Sequence, residues 1–259
     1  MIIAHRGASA VAPENTLAAF ARALADGADG IELDVRLSRD GVPVVIHDET
    51  LLRTGLLKGV VAEMAASELG KVDVGSWFNR AHPKQAREEY AGECVPTLGE
   101  VFRLFQDRDA RLYIEIKTGA NEGFAELTQT VAQLIRKHKL HSRVVVVSFD
   151  LAAIANIKRI DSAIRTGALF EPKRKPATLA RKRPMIEAAI DHGANEILLH
   201  RSISTRSAVR LATDNDLAVV VWTVDDPEWI SRARSLGIHA LVSNNPGLMT
   251  AASCQNAER

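Results

Sequence analysis

The 259-residue chain predicts an α/β fold: a TIM (β/α)8 barrel with an extra antiparallel hairpin strand after strand two and a small insertion over its C-terminal mouth. Three observations predict it. Short β-branched, apolar runs recur along the whole chain, stretches of helical periodicity separate most of them, and the residues able to do chemistry fall at the ends of the runs. The length suits one barrel, so a single domain over residues 1–259 is expected, with the insertion at about 48–96.

The runs lie at 2–4, 31–35, 42–46, 112–116, 144–148, 165–170, 196–199, 218–223 and 240–243. Nine is one more than a barrel of eight parallel strands needs. The gap between Val35 and Val42 is too short for a parallel crossover, and Asp40-Gly41 is a strong hairpin signal. The run at 42–46 should therefore fold back antiparallel on 31–35 and set His47 beside Glu32 and Asp34. Leu17, Phe20, Ala21 and Leu24 form one helical face, closed by Gly27. Phe124, Leu127, Val131, Leu134 and Ile135 form another, and Trp229, Ile230, Ala233 and Leu236 a third. Thr97 and Glu100 have the spacing of a capping box, and Asp226-Pro227 is a cap followed by proline at the first helical position. Residues 48–96 lack this alternation, and loops that long rarely stay structureless in a compact domain. They are expected to cover the barrel mouth and to supply substrate contacts.

Composition narrows the function classes. With 33 Lys+Arg against 32 Asp+Glu the formal charge is +1, which argues against a general nucleic-acid grip. The basic residues at 173–175 and 181–183, interleaved with Pro172, Pro176 and Pro184, are expected to form a solvated loop. No apolar stretch approaches the ~18 residues that cross a bilayer, and His5 follows too soon after Met1 to leave room for a secretion signal. Cys94 and Cys254 have no metal-type spacing. The expectation is a soluble protein in a reducing, cytoplasmic setting, with a homo-oligomer left open.

The chemistry gathers at four strand ends. Glu32 and Asp34 share one face of their strand, Glu115 and Lys117 share one face of theirs, His5 and Arg6 end the first run, and His47-Asp48 ends the hairpin strand. Three converging carboxylates repel one another unless a cation sits among them, and an all-oxygen donor set suits Mg²⁺ or Ca²⁺ rather than zinc. The ordinary alternative is that Glu32 or Glu115 makes a structural ion pair with Lys117 or Arg6. A guanidinium and an ammonium beside such a cation would hold a phosphate ester. His5 and His47, with ordinary pKa values near ~6.5, can divide general acid and base duty around phosphorus. Trp222 either packs in the core or forms an apolar wall for substrate. His200 is a candidate substrate contact, and Asn244 and Asn245 are candidate rim contacts. His82, His138, His141, His192 and His239 have loop or helix-end contexts that suit solvated or capping roles. Neither a Gly-x-Gly-x-x-Gly nor a P-loop pattern occurs, which removes nucleotide-cradle readings.

These residues sit in ordered blocks: HRGASAVAPENTLAAF at 5–20, GADGIELDVRLSRDGVPVVIHDETLLRT at 27–54, GSWF at 75–78, VPTLGEV at 95–101, IEIK at 114–117, VSF at 147–149 and VVWTVD at 220–225. Over about residues 2–247 the chain resembles the glycerophosphodiester phosphodiesterase family. The resemblance implies metal-dependent hydrolysis of a glycerophosphodiester to glycerol 3-phosphate and an alcohol such as choline, ethanolamine or glycerol. It implies His5 and His47 as the acid/base pair; Glu32, Asp34 and Glu115 as metal ligands; Arg6 and Lys117 as phosphate binders; and Glu14 and Trp222 as pocket residues. The chain departs from the family pattern at Ser243-Asn244-Asn245-Pro246, where Thr-Asp or Thr-Asn is common before the proline, and at Thr54-Gly55, where two threonines are common. A lysophospholipid phosphodiesterase on the same barrel and a non-catalytic sensor of a phosphorylated metabolite remain as alternatives.

Overall fold

The computed structural model describes residues 1–119, 124–172 and 182–255. Its nine strands are β1 (Ile2–His5), β2 (Gly30–Leu37), β3 (Pro43–Val45), β4 (Arg111–Ile116), β5 (Val144–Ser148), β6 (Arg165–Phe170), β7 (Glu196–His200), β8 (Ala218–Trp222) and β9 (Ala240–Ser243). All except β3 pair in parallel, and the β1–β2 and β1–β9 pairings close them into a barrel. β3 is the extra strand, antiparallel to β2 with Val35 opposite Val45. The hairpin expected from Asp40-Gly41 is present, and Gly41 takes a left-handed φ of 74°.

The two-residue side-chain period sorts the strands into an inner and an outer face. Ile3, Tyr113, Val145, Val147, Leu169, Leu198, Val220, Ala240 and Val242 point inward and pack on one another. Gly167 leaves room there, because a Cβ would stand 2.5 Å from Leu198. The alternate residues, such as Ile31, Leu33, Ile114 and Val146, pack outward against the surrounding helices.

The helices are α1 (Leu17–Ala25), α2 (Ala66–Leu69), α3 (Ser76–Ala81), α4 (Leu98–Leu104), α5 (Phe124–His138), α6 (Leu151–Ile160), α7 (Lys182–Asp191), α8 (Arg206–Thr213), α9 (Glu228–Leu236) and α10 (Pro246–Gln255). Thr97 caps α4 in the expected box, with its hydroxyl accepting the Glu100 N–H at 3.2 Å and the Glu100 carboxylate accepting the Thr97 N–H at 2.8 Å. At the start of α9 the Asp226 carboxylate accepts the Glu228 N–H at 3.0 Å.

Two expectations need correction. On α1 the buried residues are Ala19, Phe20 and Ala23, while Ala21 is exposed, because Ala19 lies under the turn that follows β1. Of the basic cluster, 173–181 lies outside the described residues, and Lys182 and Arg183 open α7 instead of lying in a loop. Among the described residues no helix is long and apolar enough to cross a membrane.

The segment 48–96 holds α2, α3 and two short 3-10 turns, and its Leu51, Val61, Leu69, Val72 and Val74 form an apolar cluster with Val44 and Ile46 of the hairpin. A second cluster, Ala12, Ala19, Phe78 and Tyr90, fixes it to α1.

Candidate active site

A cavity of about 320 Å³ opens at the C-terminal ends of the strands. His5, Arg6, Glu32, His47, Glu115 and Lys117 line one side. Val147, Phe149, Leu169, Leu198, Trp222 and Val242 line the other, together with Glu171.

Strand register builds the charged side. His5 lies beside Glu32 in the β1–β2 pair, and Asp34 lies beside Glu115 in the β2–β4 pair. Glu32, Asp34 and Glu115 are all buried, and each offers an oxygen within 4.8 Å of the others. The shared face expected from their spacing is therefore real. The chain leaves β1 through Arg6 (φ 56°) and Gly7 (φ 80°), and at Gly7 a Cβ would meet the Ala19 backbone at 2.7 Å. Only glycine fits so close a left-handed turn. The turn delivers the Arg6 backbone N–H to Glu32 at 3.1 Å.

The acidic trio is unevenly paired. Lys117 Nζ lies 2.6 Å from Glu115 and 3.0 Å from Asp34, and Arg6 Nε lies 3.1 Å from Asp34. Asn15 adds an amide hydrogen bond to Asp34 at 2.8 Å. Burial works to raise the Asp34 pKa, yet Lys117 and Arg6 outweigh it and hold the carboxyl well below the ordinary range. Among the described residues Glu32 has only the Arg6 backbone N–H and the His5 ring, 3.9 Å away, as polar partners. Burial and the charges of Asp34 and Glu115 push it well up. Glu115 rises to about 7, through burial and then Asp34. Asp34 Oδ1 is buried, with Lys117 Nζ 3.0 Å away. Crowded, desolvated carboxylates fit a hard divalent cation, whose oxygen ligands span roughly 4–5 Å. No nitrogen or sulfur ligand from these three residues competes, so the donor set suits Mg²⁺ or Ca²⁺.

The two histidines are held differently. Asn244 gives its amide N–H to Asp225 at 2.8 Å, which turns its oxygen toward His5 Nδ1 at 2.7 Å. His5 therefore carries its proton on Nδ1 and presents the Nε2 lone pair on the Glu32 side. Burial, with Arg6 beside it, pushes His5 down to about 4, so the ring is neutral at pH 7. His47 Nδ1 instead meets the Asp48 carboxylate at 2.7 Å. Burial lowers His47 too, opposed by Asp34 and by the Asp48 hydrogen bond.

Arg53, from the insertion, ties these groups together. Its guanidinium donates to Asp48 at 2.7 Å and to both oxygens of Glu14 at 2.7 and 2.8 Å, and Glu14 in turn accepts from Arg6 at 2.9 Å. Glu14 thus stands behind Arg6 and is not among the cavity-lining residues. Trp222 lines the cavity and donates to the Leu198 carbonyl at 3.3 Å. His200 packs edge-on against Trp222, with centroids 5.4 Å apart, and does not line the cavity. Asn245 caps α10 through a hydrogen bond to the Leu248 N–H at 3.2 Å. The remaining histidines serve elsewhere: His82 against Phe78, His138 against Phe102, His141 on Asp161, His192 on the Ala188 carbonyl, and His239 at the chain start.

Sequence reasoning missed Asn15, Arg53, Phe149, Glu171 and Asp225. All lie in loops or just past strand ends, where no periodicity marks them; Asn15, Arg53, Phe149 and Asp225 sit inside the sequence blocks given above and could have been suspected there, whereas Glu171 lies outside them.

Residues 5–248 match the model of the glycerophosphoryl diester phosphodiesterase family. A glycerophosphodiester phosphodiesterase of Caldanaerobacter subterraneus is 34% identical over 95% of this chain and 94% of its own length. A crystal structure from Silicibacter pomeroyi superposes with a TM-score of 0.85 at 30% identity, covering 99% of this chain and 93% of that one. An Oleispira antarctica phosphodiesterase, solved with its product sn-glycerol 3-phosphate, gives a TM-score of 0.84 at 26% identity, covering 97% and 96%.

Proposed function

Because this chain belongs to the glycerophosphoryl diester phosphodiesterase family, we propose that it hydrolyses glycerophosphodiesters to glycerol 3-phosphate and an alcohol in a divalent-metal-dependent reaction. The single observation that carries the reading is the convergence of Glu32, Glu115, two cations and two histidines on one cavity, with Asp34 buried behind it within reach of both carboxylates. Glu32, Asp34 and Glu115 would hold Mg²⁺ or Ca²⁺. The chemistry such an ion supplies is polarisation of a phosphate oxygen.

Arg6 and Lys117 hold the phosphate. An arginine has five N–H donors and a lysine three, so both keep donors for the ester after their contacts to Glu14, Asp34 and Glu115. Their charge is worth most where it meets the negative charge that develops on the phosphoryl oxygens.

Unequal partners divide the histidine roles. His5, neutral and backed by an uncharged amide, takes the proton from the attacking water or glycerol hydroxyl through Nε2. His47, backed by the Asp48 carboxylate, better supports an imidazolium and gives its proton to the departing alkoxide. A 4-nitrophenyl ester of glycerol 3-phosphate tests this, because its leaving group needs no proton. His47→Ala should lose at least ~10²-fold on glycerophosphocholine but far less on the aryl ester, whereas His5→Ala should lose on both. Equal losses for both variants on both substrates would reject the division, and near-wild-type turnover in both would reject the pair.

A second reading, a lysophospholipid phosphodiesterase, is favoured by the exposed Leu52, Leu56, Leu57 and Val60 around Arg53. None of these lines the cavity. A kcat/KM for the acylated substrate at or above that for glycerophosphocholine would put this reading first.

A further inference from the structure

The cavity wall built from β5 to β9 has a composition that phosphate chemistry alone does not require. Phe149 and Glu171 directly follow β5 and β6, so each stands at the C-terminal end of a barrel strand, where working groups sit. Phe149 is 42% exposed, a large aromatic side chain left out of the core at the cavity wall. Its ring meets Trp222 edge-on, with centroids 5.6 Å apart and planes at 76°. Trp222 is itself fixed by its bond to the Leu198 carbonyl and by His200 on another side. Glu171 lines the same cavity and makes no ion pair or hydrogen bond with another described residue.

Two rings at a steep angle and a carboxylate on one wall attract a cation from several directions, and the apolar surfaces of Val147, Leu169 and Leu198 beside them accept methyl groups. The opposite wall carries the Arg6 and Lys117 charges for a phosphate. Positive and negative recognition therefore face each other across one cavity of about 320 Å³.

We propose that Phe149, Trp222 and Glu171 form a subsite for the leaving alcohol that selects an ammonium group, and a quaternary ammonium above all. The proposal rests on the phosphodiesterase reading and assigns its substrate class: diesters whose alcohol carries a permanent positive charge a short carbon spacer away from the phosphate. A neutral alcohol would leave the Glu171 charge without a partner in the complex and would gain nothing from the ring quadrupoles.

Wild type, Phe149→Ala and Glu171→Gln, measured with saturating Mg²⁺ or Ca²⁺ on glycerophosphocholine, glycerophosphoethanolamine and glycerophosphoglycerol, test this. Both side chains are exposed, so neither change should disturb the fold. Wild-type kcat/KM should favour the choline ester over the glycerol ester by about tenfold. Each variant should lower it roughly fivefold to tenfold on the choline ester and within about twofold on the glycerol ester, the scale of one cation–aromatic or charge contact. Equal wild-type values on the three substrates, or variants that lower all three alike or none, would overturn the subsite while leaving the phosphodiesterase reading intact. A wild type that cleaves no glycerophosphodiester would overturn both.

Discussion

Buried carboxylates stand at both ends of the barrel, and their surroundings differ. At the N-terminal end Glu196, the first residue of β7 and 1% exposed, accepts the Tyr113 hydroxyl at 2.9 Å and Arg165 Nη2 at 3.2 Å. At the C-terminal end Glu32 has one backbone N–H and two neighbouring carboxylates. Tyr113 and Glu115 are two residues apart on β4, so one strand serves both ends with side chains on the same face. The first carboxylate is satisfied within the protein and belongs to its stability. The second is crowded by like charge and asks for a cation. Burial of an acid is thus a poor marker of function, and lack of compensation is a good one.

Substitutions at the two ends should separate activity from stability. The largest effect on activity is expected at Glu32→Gln, where loss of a metal ligand should lower kcat/KM by about 10²-fold or more, on the order of several kcal/mol of transition-state stabilisation. Its melting temperature without divalent ions should stay level or rise, since burial and the neighbouring carboxylates already disfavour an ionised Glu32 and the amide keeps its shape. A large fall would make Glu32 a structural residue like Glu196.

Arg53→Ala should act more mildly. Orienting partners of this kind are worth roughly tenfold or more in activity, while half-exposed ion pairs contribute about 0–1 kcal/mol to stability, so turnover should drop and unfolding barely move. Full activity in this variant would show that Asp48 and Glu14 hold their partners unaided.

Glu196→Ala should be smallest in activity and largest in stability. It strands the buried Tyr113 hydroxyl, at a cost of about 1–3 kcal/mol, which for a chain of this size lowers the melting temperature by several degrees. Its kcat/KM should remain within about twofold of wild type. A deep loss of turnover would erase the distinction between the two ends.

What the sequence could convey follows the same physics. The strand period of two placed Glu32, Asp34 and Glu115 on one face, and Asp40-Gly41 predicted the hairpin that carries His47, because both are local rules of backbone geometry. The α1 face was misplaced by an alanine, since Ala19 and Ala21 differ only in which one lies beneath the turn after β1. The Asn244–His5 contact spans 239 residues and the Arg53–Glu14 pair 39, and both join strand ends and loops that only the folded chain brings together. Phe149 closes the VSF block but an aromatic there reads equally as core, and Glu171 escaped notice because an isolated acid after a strand has no pattern. Their partner is a cavity wall rather than a neighbour in sequence.

The most direct measurement is calorimetric titration of metal-free protein with Mg²⁺ and with Ca²⁺, alongside thermal unfolding, for wild type and Glu115→Gln. Wild type should bind one ion per chain and, at a hundredfold excess over Kd, gain about 2.7 kcal/mol of stability, while Glu115→Gln should bind far more weakly and gain little. Absence of binding to wild type, or equal binding to the variant, would contradict the claim that these three carboxylates form one cation site.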